Sequence, residues 1–570
     1  MSKALFSSAD SPLQIWQLTL DKPVETRIAE RLDEVVPLLE WAEERARGGA
    51  WVALMISYEA APAFDSALCA HDSDGIPLAW AAAYSEFWSE RQVATDLVSG
   101  PWLPKIDRSE YDSAVARIKE LIVAGDTYQV NYSFPLTSSF SGDASAWFQE
   151  LCLAQGATYC VYLDLGRYHV LSLSPELFFE RRGDRVITRP MKGTIRRGRW
   201  TEEDEALADQ LRNSSKDKAE NVMIVDLLRN DLGKVSVPGS VHVSSLFEAE
   251  RYETVWQMTS TVEATLRPGT SFVELMSALF PCGSVTGAPK IRTMQIIREL
   301  ERFPRGVYTG AIGFLRPNGD CLFNVAIRTV VIDKQTGVAT CSVGGGVTID
   351  STAAGEYEEC LVKSRFLQSK PVEFELFETM LVEDGEIFLL ERHLERLKKS
   401  AAYFGFKFNE KDIFPLLPPI RAKTAKLKLS LRKDGRVRVD TFLNTDKTDL
   451  KRIVLATKPI DSSDRFLYHK TTRRDFYSDD VILWNERGEI TESGIANVVV
   501  RLDGELFTPP VSCGLLPGTF RAYLLDRGEI KERVITIEEF KRASELYLIN
   551  SVRKWMKAVC VNPCSPVAQL

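Results

Sequence analysis

The chain has 570 residues, more than a single hydrophobic core normally serves, so at least two domains are expected. Its 45% hydrophobic and 26% charged content is ordinary for a globular protein, and a net charge of −8 argues against a nucleic-acid partner held through phosphates. No run approaches the ~18 apolar residues of a membrane span, and Met1–Asp10 holds no apolar stretch that would read as a signal peptide. The ten cysteines are scattered without a Cys-x-x-Cys pair, the pattern of reduced thiols in a cytoplasmic protein. The five histidines (His71, His169, His242, His393 and His469) do not cluster, which disfavours a zinc site or a Ser-His-Asp triad. With no P-loop and no Gly-x-Gly-x-x-Gly opening a helix, ATP and NAD chemistry lack support.

Residues 1–100 alternate short apolar runs with loops and include the strand-like Trp51–Tyr58. After a break at Gly100-Pro101-Trp102-Leu103-Pro104, Tyr111, Val115, Ile118, Leu121 and Ile122 recur at helical spacing over Ser109–Ala124. Strands are expected at Tyr159–Leu165, His169–Ser174 and Arg185–Thr188, and a helix at Lys216–Asn230. Helices Phe272–Leu279 and Ile291–Leu300 flank Pro281–Pro289. Strand-like runs follow at Gly310–Leu315, Cys321–Val331 and Val338–Val343, then Gly344-Gly345-Gly346 and a helix over Glu356–Leu367. The character changes near Ser369-Lys370-Pro371. A small α/β unit (Glu375–Arg438), a connecting stretch near 445–465 and a second α/β unit complete the chain, so the main boundary is placed at about 370. No internal repeat is evident.

Two lysines stand in unrelated motifs: Lys192 in Pro190-Met191-Lys192-Gly193-Thr194, and Lys470 in Tyr468-His469-Lys470-Thr471-Thr472. In the first half, Glu356, Glu359 and Lys363 share one helix face, Glu220 lies on another helix, and Glu176 ends a strand. Converging carboxylates suit Mg²⁺, although a solvated face with a Glu359–Lys363 pair explains them equally simply. Arg328 falls inside a strand-like run. Buried there, it would need a partner such as a substrate carboxylate; on an edge strand it would face water. The three consecutive glycines allow close backbone approach to a ligand, or merely a tight turn.

Pro281 to Lys290 (PCGSVTGAPK) resembles a signature of the chorismate-utilising enzymes. So do Ser174-Pro175-Glu176, Ile224 to Asp231, Tyr308 to Gly313 and Gly355 to Lys363, all in family order over about 105–368. A lysine at 192 resembles the aminodeoxychorismate synthase branch rather than the anthranilate, isochorismate or salicylate synthases. The resemblance implies a fold of large antiparallel sheets in an α/β/α sandwich. It also implies Lys192 as a nucleophile on C2 of chorismate, Glu176 as general acid for the departing C4 hydroxyl, and Glu220, Glu356 and Glu359 as Mg²⁺ ligands. Thr194, Tyr308, Arg328, Lys363 and the backbone of Gly344, Gly345 and Gly346 would bind substrate. Gln257 departs from the usual His, and Cys282 and Met191 from the usual Gly and Ile. A Cys nucleophile with a His-x-Glu pair is absent from the sequence, so ammonia is expected from a glutamine amidotransferase subunit or from free solution.

The C-terminal part resembles the fold-type IV pyridoxal-phosphate enzymes through Phe377-Glu378-Thr379, His393 to Leu397, Lys470 to Arg473, Thr491 to Asn497 and Leu516 to Arg521. That resemblance implies a two-subdomain α/β module with pyridoxal 5'-phosphate on Lys470. Glu492 would sit at the pyridine nitrogen, with Arg396, Ile495, Ala496, Thr519, Phe520 and Ser551 around the phosphate. Transaminases and aminodeoxychorismate lyases share the fold; fusion to the first half favours the lyase. The expected sequence is chorismate to 4-amino-4-deoxychorismate to 4-aminobenzoate for folate, in a homodimer formed through 371–570. The alternative is an anthranilate- or isochorismate-type synthase joined to a transaminase-like domain.

Overall fold

The computed structural model describes residues 3–9, 15–87, 98–417, 424–443, 451–473 and 480–561; residues 445–450 of the expected connecting stretch lie outside them. The chain divides into two compact units. One comprises 1–196 and 208–372, the other 197–207 and 373–570.

The first unit is built on two ten-stranded sheets whose ladders are all antiparallel. One runs, strand by neighbouring strand, through 287–288, 129–141, 338–347, 329–333, 168–174, 159–164, 3–9 and 15–21. The other runs through 191–196, 255–265, 185–189, 177–182, 321–325, 311–315, 51–56, 79–84 and 25–29. Trp51–Ile56 shows why they stack. Its side chains alternate faces. Val52, Leu54 and Ile56 enter a core shared with helices Leu32–Arg47 and Phe272–Leu279, while Ala53 and Met55 enter a core shared with Phe6, Leu20, Leu163 and Val170 of the other sheet. Both faces of this strand are therefore buried, and it reads as a continuous apolar run. The outer face of the first sheet is covered by helices Arg108–Val123, Lys290–Leu300 and Ala144–Gln155. The expected large antiparallel sheets between helices are present, with the sheet layer doubled.

Cys321–Val331 is not one strand. Cys321–Val325 pairs in the second sheet and Thr329–Asp333 in the first, and Ala326–Arg328 crosses between them. Arg328 takes φ 49° at this crossover, so it is not a mid-strand residue. An apolar run conceals such a change of sheet because neither sheet demands a polar break.

In the second unit, helix Leu390–Phe404 lays Leu394, Leu397, Ala401 and Phe404 on an antiparallel sheet of strands 386–387, 376–383, 424–431 and 437–442. A mixed eight-stranded sheet follows, in which Lys451–Leu455 pairs in parallel with Val481–Trp484 and with Lys554–Cys560. No helix among the described residues is long and apolar enough to cross a membrane.

Candidate active sites

In the first unit the strand Met191–Arg196 carries Lys192 next to Gly193, whose φ of 93° accompanies the register shift between Met191 and Thr194. Neighbouring strands Gln129–Ser141 and Val338–Val347 bring Gly344–Gly346 opposite Asn131–Ser133. The three glycines let side chains and backbone approach closely. A Cβ on Gly344 would stand 2.7 Å from the Tyr132 carbonyl, and one on Gly345 would stand 2.8 Å from Glu356 Oε2. On Gly346 it would stand 2.4 Å from Gln129 Nε2 and 2.9 Å from Lys192 Nζ. Lys363 Nζ donates to the Gly344 carbonyl at 2.9 Å and pairs with Glu359 at 2.8 Å.

Lys192 is half-buried, and the packing of its surroundings pulls its pKa down; Glu220, Glu176 and Glu359 oppose that fall, while Lys363 adds to it. Burial pushes Glu176 up to about 7, against a 2.6 Å hydrogen bond from Ser284 Oγ and the nearby charge of Lys192. A carboxyl that keeps its proton near neutrality beside an amine inclined to lose its own is suited to acid-assisted nucleophilic displacement.

Gln129 escaped the sequence reading. It is fully buried, and neither its Oε1 nor its Nε2 has a hydrogen-bond partner among the described residues. Its position beside Gly346 comes from pairing between distant strands, so no local signal marked it.

The other expected residues differ in their surroundings. Tyr308 is buried against Arg305, Cys360 and Cys341, and burial raises its pKa. Arg328 is half-buried next to Tyr252 and Cys160, and burial lowers its pKa. Thr194 is exposed. Of the metal candidates, Glu356 accepts a 2.7 Å hydrogen bond from Ser351 Oγ. Glu359 is held by Lys363: burial would raise its pKa, but Lys363 and Lys192 leave it lowered. Burial raises Glu220. Among the described residues no three His, Cys, Asp or Glu side chains gather as a metal group. Glu220 nevertheless feels the charge of Glu356, and Glu220 and Glu359 both act on Lys192.

In the second unit the Lys470 segment is pinned to the start of strand Leu376–Glu383. Phe377 N donates to the Lys470 carbonyl at 3.0 Å, and Lys470 Nζ lies 4.7 Å from the Phe377 ring centroid. The next residue, Glu378, is buried and accepts from Arg396 Nε at 2.8 Å and from His393 Nδ1 at 2.6 Å. Burial alone would raise its pKa, but Arg396 and His393 bring it down to about 2. Arg396 Nη1 also donates to the Pro517 carbonyl at 3.2 Å, and His393 Nε2 lies 3.3 Å from Thr519 Oγ1. Glu378 and His393 were read only as parts of motifs; the structure makes them the support of Arg396.

Glu492 is buried, its Oε2 accepting from Leu516 N at 3.1 Å and from Asn497 Nδ2 at 3.2 Å. Thr519 and Phe520 open helix Thr519–Asp526, so their N–H groups are among those a helix leaves unsatisfied. Ser551 Oγ donates to the Thr379 carbonyl at 3.3 Å. Ala496 does not present the expected free donor, because its N–H is bound to Ser493 Oγ at 3.1 Å. Ile495 contributes its carbonyl to Asn550 Nδ2. An amine, a buried carboxylate, an arginine and a helix N-terminus, all tied to 377–379 or 516–520, form a donor set that fits pyridoxal phosphate.

Residues 91–369 match the chorismate binding enzyme family, and residues 375–559 match amino-transferase class IV. The chain thus resembles a chorismate binding enzyme over 91–369 and a class IV amino-transferase over 375–559. Its first region is 40% identical over 270 residues to "aminodeoxychorismate synthase component 1" of Bacillus subtilis, a match covering 47% of this chain and 57% of that protein. It is 38% identical over 274 residues to "anthranilate synthase component 1" of Lactococcus lactis, covering 48% of this chain and 59% of that protein. The chain thus spans less than two thirds of the length of these relatives. Anthranilate synthase component I from Streptococcus pneumoniae superposes with a TM-score of 0.51 at 25% identity, covering 64% of this chain and 91% of that one.

Proposed function

We propose that the chain makes 4-aminobenzoate in two steps, with residues 1–370 converting chorismate and ammonia to 4-amino-4-deoxychorismate and residues 371–570 eliminating pyruvate from it. The observation that carries this reading is the setting of Lys192: an amine of lowered pKa against Gly346, within the field of Glu176, whose own pKa burial raises to about 7. Neutral Lys192 attacks C2 as Glu176 protonates the C4 hydroxyl, which leaves as water. Ammonia then adds at C4 and expels the lysine. A glutamine amidotransferase subunit supplies that ammonia, which accords with the "component 1" in the names of relatives. Lys363 and the glycine backbone orient the substrate. Glu220, Glu356 and Glu359 would hold Mg²⁺, each supplying the carboxylate oxygen that ion takes.

Pyridoxal phosphate, when bound, supplies an electron sink for cleavage at C4. Lys470 would hold the cofactor and move the C4 proton, Glu492 would keep the pyridine nitrogen protonated, and Arg396 with Thr519, Phe520 and Ser551 would hold the phosphate. Loss of that proton expels the enolpyruvyl group and leaves an aromatic ring, which drives the step. The C-terminal module acts as a homodimer, and the product feeds folate synthesis.

An anthranilate-type first half is the second reading, favoured by the 38% identity to an anthranilate synthase component. Purified chain with chorismate, Mg²⁺, pyridoxal phosphate and ammonium, analysed by chromatography and mass, tests both. The expected products are 4-aminobenzoate and pyruvate, with Lys192→Ala blocking before aminodeoxychorismate and Lys470→Ala accumulating it. Anthranilate, isochorismate or salicylate would overturn the Lys192 assignment.

A further inference from the structure

The segment Arg197–Leu207 lies well inside the chorismate-binding half of the sequence, five residues beyond Lys192, yet it belongs to the compact unit formed by 373–570. It is built in rather than laid on. Arg197 forms a buried two-point ion pair with Asp204, Nε to Oδ1 and Nη2 to Oδ2, each at 2.7 Å. The guanidinium lies 4.5 Å from the centroid of the Tyr403 ring, and Tyr403 Oη donates to the Gly198 carbonyl at 2.6 Å. Only glycine is accommodated at 198, since a Cβ would stand 2.1 Å from Asp204 N. Removing one partner of such a buried pair costs far more than losing a surface contact. The segment is therefore structural to this unit, and the question is what it holds.

It holds the residues directly before Lys470. The Tyr403 ring stacks on His469 with centroids 4.3 Å apart, and His469 Nδ1 also meets Ser400 Oγ at 2.9 Å. Trp200 lies against Tyr468 with centroids 5.0 Å apart, and Tyr468 Oη donates to the Ser462 carbonyl, which Arg199 Nη1 also reaches. We propose that Arg197–Leu207 is a positioning element for Lys470: its Trp200 and Gly198 fix Tyr468 and Tyr403, and these set the backbone from which the lysine reaches the cofactor. Their contacts run to Tyr468 and His469, so they act through the Lys470 backbone. A cofactor site that borrows its support from the partner activity's sequence is not a separable module.

This proposal rests on Lys470 being the cofactor lysine, and the test separates the two ideas. Full-length chain loaded with pyridoxal phosphate is reduced with borohydride and mapped by mass; label anywhere but Lys470 overturns the assignment and the proposal together. With label at Lys470, Trp200→Ala, Trp200→Phe and Tyr403→Phe are compared by cofactor dissociation constant and by the pH titration of the lysine-bound chromophore. Misplacing a reacting group by about an ångström costs up to ~10²-fold in rate. Trp200→Ala is accordingly expected to weaken cofactor binding roughly tenfold and to shift the chromophore's titration, with Trp200→Phe recovering most of both. Tyr403→Phe, which keeps the ring on His469 but frees Gly198, is the milder probe should Trp200→Ala not fold, and is expected to shift the titration in the same sense. A segment that merely ties the fold together would lower the melting temperature while leaving affinity and titration at wild-type values, and that result would overturn the proposal.

Discussion

Gln129 Nε2 and Lys192 Nζ both close on Gly346, where an added methyl would lie 2.4 Å from the amide and 2.9 Å from the amine. The lysine end is flexible, but Gln129 is fully buried and cannot retreat without disturbing the strand that carries it. Gly346→Ala is therefore expected to displace the nucleophile rather than unfold the protein. Aminodeoxychorismate formation from ammonia should fall on the order of 10²-fold, with elimination from supplied aminodeoxychorismate unchanged. Equal loss of both activities would point to unfolding and defeat the geometric argument.

Gln129 itself predicts a conflict between stability and activity. Each buried polar group without a partner costs about 1–3 kcal/mol, and both polar atoms of this amide are in that condition among the described residues. Gln129→Met, similar in volume and apolar, should raise the melting temperature of the ligand-free protein. The same change should slow the ammonia-dependent step at least tenfold if the amide meets substrate. A variant that is less stable and fully active would show that the amide is only a packing residue.

Glu176 sets the alkaline side of the first step. Its folded pKa is raised from 4.5 to about 7, chiefly by burial. Below about 7 it holds the proton that the departing hydroxyl takes, and above it the acid form is lost. The pH profile of kcat/KM for ammonia-dependent amination should therefore decline through about 7, after ammonium speciation is accounted for. Ser284 Oγ favours the ionised form by donating to Glu176. Ser284→Ala should move that limb to higher pH, and movement to lower pH would mean that another group governs it.

What the sequence disclosed and withheld follows from range. Lys192, Glu176, the three glycines, Lys470 and Glu492 stand in contiguous motifs whose chemistry is carried by the residues themselves. Gln129 acquires its meaning only when strand 129–141 pairs with 338–347, a partnership across about two hundred residues. Arg328 was misread as mid-strand because Ala326–Arg328 passes from one sheet to the other without a polar break. Nothing local to Arg197 or Trp200 in the sequence reveals Tyr403 or Tyr468. The carboxylates expected around Mg²⁺ follow from the family resemblance; helix spacing alone places Glu356 and Glu359 on one face and does not decide whether Glu359 meets a metal or Lys363.

The acid sensitivity of the C-terminal unit should trace to Glu378. Its pKa is lowered from 4.5 to about 2, with Arg396 and His393 outweighing the effect of burial. A depressed carboxylate contributes stability that is fully present above its unfolded pKa and is lost as pH falls from about 4.5 toward about 2. A shift of that size corresponds to roughly 3 kcal/mol, a large share of the stability of a typical domain. Glu378→Gln keeps the shape but leaves Arg396 without its counter-charge, so the unit should be less stable at pH 7 and should lose less of its stability between about 4.5 and 3 than the wild type does. Arg396 should also lose its orientation, weakening pyridoxal phosphate binding about tenfold or more. Thermal melts across acid pH, with cofactor titration at pH 7, check both consequences. An unchanged acid limb in Glu378→Gln would place the titrating group elsewhere, and retained cofactor affinity would show that Arg396 needs no carboxylate to hold it.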